Sequence, residues 1–217
     1  MATEVDIANT ALAHLGDRAT VSSLSPPEGS PQAEHAARFY PIARDVMLEL
    51  HPWRFATRRQ ALADASLVTP PPSQWAYSYS APLNLAVLAV FAPDATDERQ
   101  TMAFVVEVGD DGSQVIFTNQ EDAVVQFTLQ VTDTTKFSPL FIEALGYLLA
   151  SYLAGPIIKG ADGMKASADF KKMAFAVLSS ATTADANNRD KASIRDDLAA
   201  RPSWLSDRSA VSDYQYR

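Results

Sequence analysis

Apolar residues near the N-terminus repeat at helical spacing, with Val5, Ala8, Leu12 and Leu15 on one face. Thr3 is placed to cap that face, and Gly16 suits the left-handed residue that follows a helix, so the pattern predicts a first helix ending near Leu15. After a loop containing Ser25-Pro26-Pro27, Ser30-Pro31 sets an N-cap before a proline at the first helical position. Ala33, Ala36, Ala37, Tyr40, Val46, Met47 and Leu50 form the apolar face of a second helix, which Pro41 should kink or split and Pro52 should end near His51.

From about Ser66 the period changes. A turn-rich segment, 68–73, leads into alternating Trp75, Tyr77 and Tyr79, and strands are expected from here. The clearest strand is 124–132, where Val125, Phe127, Leu129 and Val131 share a buried face and Gln126, Thr128, Gln130 and Thr132 a wet one. Residues 102–108 and 114–118 flank Gly109-Asp110-Asp111-Gly112, which reads as a hairpin turn. Together these predict a small antiparallel sheet or sandwich.

The helical period returns at Ser138-Pro139. Phe141, Leu145, Leu148, Leu149 and Tyr152 give a broad apolar face up to Gly155-Pro156, which should make this the most buried element. A fourth helix is expected over 164–184, with Phe170, Met173, Ala174, Val177 and Ala181 at helical spacing. The fold class is therefore α+β: a four-helix domain (1–65 and 137–187) bracketing a small antiparallel β domain (66–136), with an extended C-terminal tail (188–217). In that tail Leu198, Trp204, Leu205 and Val211 are too sparse for a core. Trp204, Tyr214 and Tyr216 are costly to leave in water, so they are candidate partner-interface anchors in a segment expected to order only on binding.

At 217 residues and 47% hydrophobic, the chain can build one sizeable domain or two small ones. Without cysteine it forms no disulfide, thiolate zinc site or thiol nucleophile. The N-terminus lacks a basic region followed by an apolar run, and no stretch approaches the roughly 18 to 20 apolar residues that cross a bilayer, so no membrane segment is expected. The net charge of -8 is local. Asp94, Asp97, Glu98, Glu107, Asp110, Asp111, Glu121, Asp122 and Asp133 face one base, Arg99, between Leu85 and Thr135, while acids and bases balance elsewhere. Duplex DNA binding depends on phosphate neutralisation by Lys and Arg, so neither part reads as a DNA-binding domain.

Phosphate-loop, dinucleotide, nucleophile-elbow and zincin motifs are all missing, so neither catalytic residues nor a cofactor or metal is expected. His14, His35 and His51 sit on or beside helices without a second ligand at metal spacing, and structural roles fit them best. Asp110-Asp111 reads as turn chemistry rather than a carboxylate dyad, and Asp97-Glu98 and Glu121-Asp122 as solvated loop charges. Arg58-Arg59 could grip an anion but reads as solvated. Trp53, Phe55, Trp75, Tyr77 and Tyr79 read as one packed aromatic cluster at the helix–strand junction, rather than as a stacking platform.

Four segments together resemble the tail tubular protein A family, the head-to-tail adaptors or gatekeepers of podovirus-type phages. They are 11–16 with 21–24; 33–40 leading into Leu50-His51-Pro52-Trp53-Arg54-Phe55-Ala56; 75–82; and 124–133 joined to 137–141 and 148–154. The resemblance spans 11–184 in order. It implies a structural virion protein made in the host cytoplasm and sited in the phage tail. It further implies a homo-oligomeric ring, typically a dodecamer, between portal protein and tail nozzle protein, with tail fibres as a further partner. During DNA ejection the genome passes through such a ring without specific binding, and an acidic wall of Asp97, Glu98, Asp110, Asp111, Glu121 and Asp122, facing channel or nozzle, would repel phosphate. It implies no catalytic residue, and no lytic segment is recognisable. The alternatives are a head-completion connector of a long-tailed phage, a small acidic hydrolase and an acidic DNA mimic.

Overall fold

In the computed structural model, which describes residues 2–82, 85–96 and 99–189, the predicted caps are hydrogen bonded. The first helix, α1 (Glu4–His14), starts at a capping box in which Thr3 Oγ1 accepts from Asp6 N while the Asp6 carboxylate accepts from Thr3 N at 2.8 Å. In α2 (Pro31–Glu49), Ser30 Oγ accepts from Ala33 N at 3.2 Å. This helix runs through Pro41 without a break and ends at Glu49 with Leu50 as its C-cap, close to the expected position.

Strands begin earlier than the sequence suggests. β1 (Thr57–Ala61) and β2 (Ala63–Asp64) precede the expected onset at Ser66, and β3 (Tyr77–Ser80), β4 (Ala86–Phe91), β5 (Thr101–Met102), β6 (Phe104–Val108), β7 (Gln114–Thr118) and β8 (Val124–Thr128) follow. They form two four-stranded antiparallel sheets, ordered β1-β8-β4-β5 and β2-β3-β7-β6. The stretch 102–108, expected as one strand, changes sheet at Ala103: Met102 pairs with Val90, and Phe104 with Thr118.

The strand expected over 124–132 stops at Thr128, and on its expected wet face Gln130 and Thr132 are exposed and Gln126 half-buried, whereas Thr128 is buried. The alternation nevertheless has a cause along its whole length. Val125 and Phe127 enter a core between the sheets, Leu129 touches both cores, and Val131 enters the helical core.

After a 3-10 turn, Ser138 caps α3 (Pro139–Ile158) through its hydroxyl, and α3 continues through Pro156 instead of ending there. The break comes at Lys159 and Gly160, both at positive φ (62° and 63°), before α4 (Gly160–Arg189). At this tight reversal a Cβ on Gly163 would sit 3.0 Å from Ala154 O, so the site favours glycine.

Half of α3's 20 residues are buried, against seven of 19 in α2, because α3 packs against α1, α2 and α4 at once. By length and composition alone α3 passes for a membrane-crossing helix, with Glu143 as its sole charge. The neighbouring helices cover it as a core element. The molecule is thus mixed helix and sheet, with one core drawn from the four helices and a second from the strands.

Candidate functional site

The segment 51–57 joins the end of α2 to the start of β1. Trp53, 1% exposed, donates its indole N–H to Met47 O at 2.7 Å, satisfying a carbonyl that the end of α2 leaves without a helical partner. The Phe141 ring meets Trp53 edge-on at 4.9 Å, and Phe55 and Phe137 complete an aromatic block around Phe141 at 5.1 and 4.7 Å. His51 lies edge-on to Trp53 at 4.8 Å, and its Nε2 is 3.2 Å from Asp185 Oδ2 of α4. The same carboxylate accepts from Arg54 N, and Arg54 Nη1 donates to Asn188 O at 3.2 Å. The end of α4 is therefore fastened to the joint. Asp185 was not singled out in the sequence, where it lies 134 residues from His51 and no spacing signals the pairing.

The aromatic cluster expected from sequence divides in two. Trp53 and Phe55 belong to the helical core, whereas Tyr77 and Tyr79 stack at 6.2 Å and pack with the strand core. The two groups are separated by 57–74, which holds two strands and a turn, and half-buried Trp75 joins neither. His14 stacks on Tyr147 at 4.4 Å and His35 on Phe39 at 6.4 Å, so each packs against an aromatic ring.

The acids do not converge. Asp110 and Asp111 lie in the β6–β7 turn, whereas Glu121 and Asp122 follow β7 at its other end, so a five-residue strand of roughly 17 Å separates them. Asp94 shares the second end, since Phe91 at the close of β4 pairs with Val124 at the start of β8. Asp111 accepts from the Ser113 hydroxyl and N–H, which hold its carboxyl below the usual range. Asp64 and Asp133 do the same with Ser66 and Thr135. These carboxylates close turns.

Asp97, Glu98, Trp204, Tyr214 and Tyr216 lie outside the described residues, as does the tail beyond Arg189. Arg59 places its guanidinium over Phe91 at 4.7 Å and donates to Gln126, while Arg58 is exposed on the β1 edge. Among the described residues no cluster of His, Asp or Glu suited to a metal ion forms. A shallow groove of about 350 Å³ between α2, α3 and α4 is lined by Phe39, Ser151, Tyr152, Gly155, Met164 and Ser167. Tyr152 is its one ionisable side chain, and burial raises its phenol above the ordinary value, so the groove offers apolar contact but no acid–base pair near neutral pH.

No protein-family model matches the chain, and no curated protein matches it at a significant level. Among the described residues, five-residue strands β1 and β6 lie at the outer edges of the two sheets, and α4 exposes Met164, Met173 and Phe175.

Proposed function

We propose that this chain is a structural virion protein, a ring-forming adaptor of the tail tubular protein A type that joins a phage portal to the tail nozzle and extends the DNA channel. The observation that carries the reading is where the resembling segments fall. Leu12 and Leu24 of the first, Ala36 and Trp53 of the second, and Phe141, Leu148 and Leu149 of the fourth all belong to one buried cluster. Residues that carry a resemblance in order along the chain and also share a core are those expected to define a fold.

In this reading the four helices form one domain and the strands an insertion between α2 and α3, with its boundary better drawn at Thr57 than at 66. The two sheets of the insertion favour this adaptor class over a head-completion connector of a long-tailed phage. A small acidic hydrolase gains no support from Asp110–Asp111 and Glu121–Asp122, which sit at opposite ends of β7, with Asp111 capping its own turn. Genomic DNA would pass without specific binding, because unneutralised carboxylates at both ends of β7 repel phosphate.

Negative-stain images of the purified chain, alone and with its cognate portal protein, test the proposal. Rings with an axial opening, stacked on the portal in the mixture, are the expected result. Monomers in both samples would remove it.

A further inference from the structure

The two sheets have four outer strands. β2 and β5 are two residues each, too short to template pairing, whereas β1 and β6 are five residues each and border a single strand. Proteins commonly guard such edges with lysine, proline or a bulge. β6 has no lysine, proline or bulge and a single charge, Glu107, while Val105 and Val106 are 37% exposed and Val108 72% exposed. We infer that the β6 edge of one copy pairs antiparallel with the β1 edge of a second copy, a deepening that rests on the ring-subunit reading above.

Hydrogen-bond alternation sets the register. Gly109 N donates to Ser113 O at 2.7 Å, so the N–H groups of Val108, Val106 and Phe104 face away from β7. On β1, Leu62 N donates to Ala123 O and Leu129 N to Ala56 O, so Arg58 and Gln60 face β8 and Ala61 faces outward. Outward groups must meet outward groups. The antiparallel register that overlaps all five residues then sets Thr57 opposite Val108, Ala61 opposite Phe104 and Arg58 opposite Glu107. Arg58 and Glu107 are both exposed, and neither forms a salt bridge within the described residues. An opposite-charge pair facing across strands favours the register, and like charges there oppose it.

The same register covers Val106 and Val108 with the Arg59 stem and Thr57. Charge selects β1 over the tail as the occupant: β1 is basic where the β6 hairpin carries Glu107, Asp110 and Asp111, whereas the tail has nearly equal acids and bases. Each copy offers one edge of each kind, so the contact is head-to-tail and can propagate to closure.

Sedimentation of the full-length chain over a concentration series tests the pairing. Val106→Pro removes an outward N–H while sparing the β6–β7 ladder, and should leave a folded monomer. Glu107→Lys should raise the half-assembly concentration about fivefold to tenfold, and adding Arg58→Glu should restore wild-type assembly. Folding of each variant is checked by circular dichroism, and if the proline variant misfolds the charge swap decides alone. Assembly of Glu107→Lys at wild-type concentrations, or failure of the double swap to restore it, overturns the inference, as does a wild type that never associates. Rings indifferent to these variants would keep the adaptor reading and remove the edge. Open chains broken by them would keep the edge and remove the ring.

Discussion

Trp53 gives the sharpest test of the joint. Truncation to alanine empties a site that is 1% exposed and walled by Phe141, Phe55 and His51. Large-to-small changes of this kind cost about 3 to 5 kcal/mol. The Met47 carbonyl also loses its indole donor, and a buried polar group left without a partner costs about 1 to 3 kcal/mol. The two effects overlap, because the cavity gives that carbonyl room to find another partner, so about 5 kcal/mol is expected for Trp53→Ala. Against a total stability of about 5 to 15 kcal/mol this removes most or all of the folded population and the assembly with it. Trp53→Phe refills most of the volume but not the hydrogen bond, and should cost about 1 to 3 kcal/mol. Urea unfolding followed by far-ultraviolet circular dichroism measures both. A Trp53→Ala protein within about 1 kcal/mol of wild type would refute the burial argument. Equal costs for the two variants would show that the hydrogen bond dominates and that the packing was misjudged.

Gly109→Ala should destabilise by about 1 to 3 kcal/mol in the same assay. Its Cβ would lie 2.6 Å from Thr69 Oγ1 and 2.7 Å from a Val115 methyl, and unchanged stability would mean that the turn can shift as a unit. Asp17 is held below its ordinary value of 3.8 by the Ala19 N–H and then the Gln32 amide. A depressed folded pKa adds stability above the unfolded value and loses it as pH falls through the folded one. The thermal midpoint should therefore fall as pH drops through and below the ordinary carboxylate range, and Asp17→Asn should flatten that fall. A chain ending at Arg189 should keep its thermal midpoint but lose portal binding, with Trp204→Ala reproducing much of the loss in a pull-down. Unfolding of the short form would place the tail in the core, and normal binding would exclude it as the docking element.

Helix positions were legible because their signals are local. Thr3, Ser30 and Ser138 each announce a helix start within three residues, and each forms the cap it announces. Helix ends were less legible. Pro156 is tolerated inside α3, and the true break is the left-handed pair Lys159–Gly160. β1 was invisible because four of its five residues are exposed, and a strand that buries no face writes no alternation. The opposite error befell β8, where alternation driven by two successive cores extended the apparent strand past Thr128. The Asp110-Asp111 turn was legible from its glycines, whereas the His51–Asp185 pair depends on α4 folding back along α3, which no local pattern encodes.

That long-range pair bears on how the molecule could transmit assembly. Asp185 and Asn188 tie the end of α4 to His51 and Arg54, and Trp53 O accepts from Thr57 N, the first residue of β1. Only five residues thus lie between His51, where α4 is fastened, and Thr57, the start of the strand edge inferred to receive a neighbour. They include Trp53 and Phe55, locked by rings on several sides, so little freedom remains between the two ends. The arrangement also moves the start of the tail. The sequence placed it at Asn188, but Asn188 O holds Arg54, so a cut before that residue would loosen the joint as well as remove the tail. A tail docked on a portal would then pull on the same rigid segment that positions β1. Portal binding and subunit pairing would be mechanically linked through 51–57, and His51→Ala, by removing one of the contacts that hold Asp185, should weaken that linkage while leaving both contact surfaces intact.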